Sequence, residues 1–94
     1  MSITKKVTFI ANTGHIKEMK NLLKTMVEAS KAEDGCLLYD IFQFADEPQK
    51  FIVIESWRDE KSLDGHKQSD HYKYYKSHFE PYCQEKFSDE LVIL

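Results

Sequence analysis

The chain has 94 residues, and 13 Lys and Arg against 16 Asp and Glu give a net charge of −3. This length allows one domain, residues 1–94, with one small core. An acidic balance with scattered lysines argues against a nucleic-acid partner. No apolar run approaches the ~20 residues of a membrane span, and the N-terminus lacks the apolar stretch of a signal peptide. We therefore expect a cytoplasmic protein that binds neither nucleic acid nor membrane.

The first part of the chain is predicted to form a strand, a helix and a hairpin. Apolar residues alternate partially over residues 3–11, which predicts a strand, and recur every three or four residues over 15–33, which predicts a helix. Gly35 suits the left-handed position at the C-terminus of that helix. Residues 36–45 and 51–57 are predicted strands, and the short connection between them predicts an antiparallel hairpin.

The second part is predicted to add two helical segments and a strand. Asp59 can cap a helix running through about Lys67, and Ser69-Asp70 can cap the next one. Pro81 lacks a backbone N–H, so we expect a kink or a restart near Glu80. Residues 90–94 are predicted to form the last strand.

The resulting order β-α-β-β-α-β is that of the α+β, ferredoxin-like fold, an antiparallel sheet with helices on one face. Alternation places Phe51, Val53, Glu55 and Trp57 on one face of the third strand, and Ile52, Ile54 and Ser56 on the other. Both faces are largely apolar, whereas one helix layer covers only one of them. The second face predicts a partner subunit and hence a homodimer.

Three residues stand out as candidate catalytic groups: Glu55, His66 and His71. Burial raises the pKa of a carboxylate and so makes it a possible base, although Glu55 could equally accept a structural hydrogen bond. Histidine changes charge near neutrality, which suggests proton transfer, but capping or surface roles are open for both histidines. Nothing in their spacing requires a two-histidine, one-carboxylate iron site, so we predict no metal.

Large rings are the other notable feature of this short chain. Most must belong to the core, yet a sheet-to-helix interface lined with rings and polar tips is also typical of a pocket for a flat, apolar ligand. The candidate ligand-binding residues are Tyr39, Trp57, Tyr72, Tyr75 and Phe79. Cys36 and Cys83 form no CxxC pair and are expected to be free thiols.

In order and spacing, several short motifs together resemble the antibiotic biosynthesis monooxygenase family over essentially the whole chain. The motifs are Glu33-Asp34-Gly35-Cys36-x-x-Tyr39, Pro48, Phe51-Ile52-Val53-Ile54-Glu55-x-Trp57 and Leu63-x-x-His66-x-x-Ser69-x-His71-Tyr72. The resemblance implies a homodimer in which two ferredoxin-like sheets pack face to face as a dimeric α/β barrel. It also implies a cofactor-independent, quinol monooxygenase-like enzyme that oxidises quinols or anthrones with O₂.

Under this resemblance His66 is the first choice for the base or anion binder, and Glu55 orients a donor. Trp57, Tyr72 and Tyr75 shape the pocket. The family's haem-degrading branch is not favoured, because the matching positions here are Val7, His66 and Lys76, and none carries the residue that branch uses.

Two alternatives stay open. An isomerase branch acts on a phosphorylated autoinducer-type carbonyl compound, and here Lys67 and Lys73 could meet the phosphate, although no arginine lies there. The same cavity could also bind a small aromatic molecule without turnover.

Overall fold

The computed structural model of the protein describes residues 2–94 and confirms the ferredoxin-like arrangement. Four strands and three helices follow one another along the chain, with short 3₁₀ turns before α1 and before β4. Their bounds are β1 Ile3–Ala11, α1 Ile16–Lys31, β2 Cys36–Gln43, β3 Lys50–Trp57, α2 Glu60–Lys67, α3 Asp70–His78 and β4 Cys83–Leu91.

The four strands form one antiparallel sheet in the order β2-β3-β1-β4. β1 lies in the middle, where Lys5 is paired with Glu55 of β3 on one side and with Glu90 of β4 on the other. The alternation of β3 is as predicted: Phe51, Val53, Glu55 and Trp57 are buried under the helices. Together with Phe9 and the apolar residues of α1, they form the core.

The caps of the two short helices agree with the sequence prediction. The side chain of Asp59 accepts a hydrogen bond from the backbone N–H of Ser62 at the start of α2. Ser69 does the same for the N–H of Tyr72 at the start of α3. α3 ends at His78, and Pro81 lies in the separate 3₁₀ turn that follows, so the predicted restart is confirmed.

Two predictions about local structure are wrong. β4 spans Cys83–Leu91, whereas the prediction was 90–94. Most of its residues are polar and exposed, and the strand is stabilised by backbone hydrogen bonds to β1, so it has no apolar pattern that the sequence could show. Gly35 does adopt a positive φ of 85°, but α1 already ends at Lys31. The glycine therefore lies in the turn that leads into β2, and its carbonyl accepts the backbone N–H of Arg58.

The sheet face turned away from the helices carries exposed apolar side chains on both outer strands. They are Leu38 and Phe42 on β2 and Phe87 and Leu91 on β4. None of the helices within residues 2–94 combines the length and the hydropathy needed to cross a membrane. The two cysteines are free thiols, as predicted.

Candidate active site

A cavity of about 130 Å³ lies between the sheet and the helices. Five of the residues singled out in the sequence line it: Tyr39, Glu55, His66, Tyr72 and Tyr75. Apolar walls come from the sheet, α1 and α2. Polar groups are added by Lys67, which the sequence analysis gave as a possible phosphate contact, and by residues that it did not assign to the pocket. The apolar and added polar lining residues are Val7, Phe9, Leu23, Met26, Val53, Leu63, Lys5, Lys67, Lys86 and Ser88.

His66 is the most deeply buried titratable group of the cavity, with 2% of its surface exposed. Its Nδ1 lies 2.6 Å from Oε2 of Glu33. Because a carboxylate only accepts hydrogen bonds, Nδ1 must carry the proton of this contact. In the neutral imidazole Nε2 then holds a lone pair, so the ring can accept a proton from a ligand in the cavity.

Glu33 was missed as a site residue, although it belongs to the motif that carries the resemblance. It follows α1, where its backbone N–H bonds to the carbonyl of Ser30, and its carbonyl accepts the N–H of Cys36. Oε2 also lies 2.8 Å from Nε2 of His71. A carboxylate beside a helix C-terminus is electrostatically unfavourable unless a cation or a hydrogen-bond donor compensates it. The position of Glu33 after α1 is therefore the signal in the sequence that could have identified it as a site residue.

The donor set of Glu33, His66 and His71 is one that divalent metals use, and its atoms lie within 4.8 Å of one another. The two N···O contacts, however, have the length of direct hydrogen bonds. The arrangement orients the two imidazoles as it stands.

Three aromatic rings surround the His66 imidazole and fix its plane. Its centroid lies 4.5 Å from that of Trp57, which it faces at 32°, 5.1 Å from Tyr72 edge-on, and 5.7 Å from Tyr39. The tight packing restricts ring rotation, so the donor–acceptor pattern set by Glu33 is presented to the cavity in one orientation.

Glu55 accepts a hydrogen bond from the indole N–H of Trp57, with 2.7 Å between Oε1 and Nε1. Both residues lie on the covered face of β3, two positions apart, so their side chains project to the same side. Trp57 is fully buried, whereas Glu55 borders the cavity. The expected structural partner of Glu55 is therefore the indole, and one carboxylate oxygen remains for a ligand.

The three phenols of the cavity are available as hydrogen-bond donors to a ligand. Burial is the main cause that raises the pKa of Tyr39, Tyr72 and Tyr75 above the ordinary tyrosine value. The neighbouring Glu55 carboxylate adds to this effect at all three. They stay protonated near neutral pH and can stabilise a negative charge that develops on a ligand.

Three of the predicted site residues lie outside the cavity lining. Trp57 contacts both His66 and Glu55. His71 bonds to the same Glu33 oxygen as His66, and the centroids of the two imidazoles lie 5.8 Å apart. Phe79 stacks on Tyr75 with 5.1 Å between centroids. All three contact lining residues and act on the cavity through them.

Comparison with known proteins identifies the family of the chain. The profile of the antibiotic biosynthesis monooxygenase family matches residues 2–77 of the chain. The chain belongs to this family. The chain is 36% identical over 59 residues to "Putative monooxygenase Rv0793" of Mycobacterium tuberculosis. It is 30% identical over 57 residues to "Putative monooxygenase YcnE" of Bacillus subtilis. The matched regions cover 63% and 61% of this chain and 57% and 60% of those proteins.

Two solved structures extend the likeness to the whole fold. PA3566 from Pseudomonas aeruginosa superimposes with a TM-score of 0.95 and is 32% identical, covering 99% of this family member and 94% of that chain. The structure of Rv0793 gives a TM-score of 0.93 at 25% identity and covers 100% of this chain and 96% of that one.

Proposed function

We propose that the protein is a cofactor-independent monooxygenase that oxidises a quinol-like aromatic substrate with O₂, using His66 as the base. The observation that carries this proposal is the His66–Glu33 contact inside a ring-lined cavity. It holds an imidazole acceptor beside the place where an aromatic ligand would lie. Membership of the monooxygenase family and the names of the relatives support the same reaction class.

The reaction is balanced without an added reductant. His66 takes a hydroxyl proton from the quinol, and the resulting anion passes an electron to O₂. The two radicals combine to form a C–O bond, and loss of water leaves a hydroxyquinone, so that quinol plus O₂ gives hydroxyquinone plus water. The protein contributes orientation, the base and the tyrosine donors that hold the anion.

The size of the cavity favours one ring over three. A volume of about 130 Å³ is close to that of an engineered cavity of roughly 150 Å³ that binds benzene. A hydroquinone fits this space, whereas an anthrone would require the walls to move apart. Among the substrate classes that the family resemblance implies, the quinol is therefore our choice.

The test is oxygen uptake by the chelator-treated protein with a panel of hydroquinones, measured against autoxidation blanks. We expect uptake above the blank, lost in His66→Ala and kept in His78→Ala, whose side chain is exposed and bonds only locally to Ser77 and Tyr74. Undiminished uptake in His66→Ala would remove the assigned base. Uptake that requires a restored metal would move the chemistry to the Glu33–His66–His71 set.

We also propose that the protein is a homodimer joined through the uncovered sheet face. Phe42 and Phe87 expose 53% and 45% of their surface there, on strands whose other face is the core side. Burying such apolar surface in a partner stabilises a small domain. Sedimentation should give twice 11.1 kDa for the wild type. Phe42→Lys should give monomers. Tyr74→Lys, which changes an exposed residue of α3, should still give dimers. A monomeric wild type would contradict the proposal.

The alternative isomerase retains one supporting observation, because Lys67 lines the cavity while Lys73 does not. Stabilisation of the protein against thermal unfolding by millimolar inorganic phosphate, if it is lost in Lys67→Met, would favour the isomerase reaction. Tight binding of hydroquinones with no uptake across the panel would instead indicate a binding protein.

A further inference from the structure

Lysines line the cavity from three different elements. Lys5 on β1 and Lys86 on β4 point to the helix-covered face of the sheet, and Lys67 comes from the end of α2. None of them forms an ion pair within residues 2–94, whereas Lys6 and Lys31 at the surface do. Lys67 is exposed, and Lys5 and Lys86 are half-buried. Lys5 lies in register between Glu55 and Glu90, whereas the residue opposite Lys86 on β1 is Phe9, so Lys86 has no carboxylate beside it in the ladder.

Lys86 is held in place by aromatic rings. Its Nζ lies 4.9 Å from the ring centroid of Phe79, 5.3 Å from Tyr75 and 5.7 Å from Phe9. These contacts fix an ammonium group at the cavity wall without neutralising its charge.

The groups around Lys86 carry both signs of charge. Burial is the main cause that lowers its pKa, and the nearby ammonium groups of Lys76 and Lys5 lower it further, against Cys83 and Glu55. Among residues 2–94, Glu55 is the only carboxylate lining the cavity, and it already accepts the indole N–H of Trp57. The cavity therefore has more positive than negative charge, a condition that favours an anionic ligand.

The charges are also separated across the sheet. His66 and its Glu33 partner lie over β2 and β3, while Lys86 is on β4, and Lys5 lies between them on β1. Neighbouring strands are about 4.8 Å apart, so β4 with Lys86 lies roughly 10 Å from β3, where the His66 ring packs on Trp57, and β1 with Lys5 lies halfway between them. A flat ligand can thus have its proton-donating edge at the imidazole and a negative group at the ammonium side.

We propose that this cavity selects an aromatic acid, whose ring lies between sheet and helices and whose carboxylate is held by Lys86 and Lys5. The inference rests on the proposed function, since it defines the substrate as a quinol that bears a carboxylate and presents its hydroxyl to His66. It is tested by binding alone, so its failure is distinguishable from a failure of the oxygenase chemistry.

The experiment is calorimetric titration with benzoate and with benzamide, a neutral analogue of nearly the same shape that cannot be oxidised at a quinol hydroxyl. Because hydrogen bonds to charged groups are the stronger ones, we expect benzoate to bind about 10- to 100-fold more tightly. Lys86→Met and Lys5→Met should each reduce this ratio, whereas Lys86→Arg should keep it. Lys61→Met, at an exposed site on α2, is the matched control.

Equal affinity for benzoate and benzamide in the wild type would overturn the proposal. An equal loss of preference in Lys61→Met would also do so, because it would assign the effect to general charge. Displacement of benzoate by millimolar inorganic phosphate would identify the bound anion as a phosphate and so contradict the aromatic acid. If Lys86→Met does not fold, the ratios measured for Lys5→Met and Lys86→Arg still decide the outcome.

Discussion

Replacing Gly35 by alanine should destabilise the protein and disturb the site at the same time. The residue has a φ of 85°, and an added Cβ would overlap Oγ of Ser62 and lie 2.5 Å from its Cβ. Ser62 is fixed at the start of α2, where its Oγ and its backbone N–H both donate to Oδ1 of the capping residue Asp59, at 2.7 and 2.8 Å. The new methyl group thus pushes against the helix that carries His66.

The expected magnitude follows from two contributions. A non-glycine residue in the left-handed region costs about 1–2 kcal/mol. Displacing the Ser62 side chain breaks a hydrogen bond worth about 1 kcal/mol. A loss of about 2–3 kcal/mol lowers the melting temperature of a domain of this size by roughly 10–20 °C.

Urea and thermal unfolding of Gly35→Ala, Ser62→Gly and the double variant measure the two contributions separately. Ser62→Gly removes the side chain that clashes, so the double variant should be more stable than the sum of the single losses predicts, by about 1 kcal/mol. Gly65→Ala is the control, because nothing lies within 4 Å of its added Cβ, and helix propensity should stabilise it slightly. An additive double variant, or a Gly35→Ala protein as stable as the wild type, would refute the reasoning.

Three further predictions concern the cavity. Glu33→Gln should lower kcat on the order of 100-fold with little change in KM, because the amide no longer holds the proton on Nδ1 of His66. The tautomer of His66 can be followed by ¹⁵N NMR, and an unchanged tautomer in the variant would contradict this reasoning. Trp57→Phe leaves the buried Glu55 carboxylate without its donor and should cost about 1–3 kcal/mol in urea unfolding, so wild-type stability would show that the contact is dispensable. Because its pKa is lowered, Lys86 loses its proton at a pH below the usual lysine value of about 10.4. Benzoate binding should therefore weaken as the pH rises toward that value, and Lys86→Arg should abolish this weakening.

Much of the fold could be predicted from the sequence because periodicity and caps are local signals. The apolar spacing of α1 and the capping side chains of Asp59 and Ser69 fixed three helices to within a few residues. β4 could not be found in this way, since it is an outer strand with five exposed polar residues. Its conformation is stabilised by pairing with β1, which no local pattern reveals.

The candidate site was predicted only where a residue type was conspicuous in itself. Glu55 was recognised because an acid stands among apolar neighbours, and His66 because histidine changes charge near neutrality. Glu33 was missed because its meaning depends on two histidines more than thirty positions away. Lys5 had a visible signal, a gap in the apolar alternation of β1, but only the three-dimensional fold shows that this gap opens into a cavity.

The stacking of Trp57 on His66 gives the protein a built-in optical probe. Trp57 is the only tryptophan of the chain, and its ring centroid lies 4.5 Å from the imidazole. A protonated imidazole quenches indole fluorescence at such a distance, whereas the neutral ring does so far less. The emission intensity of the unmodified protein should therefore follow the charge of His66 in real time, during a pH jump as well as during turnover.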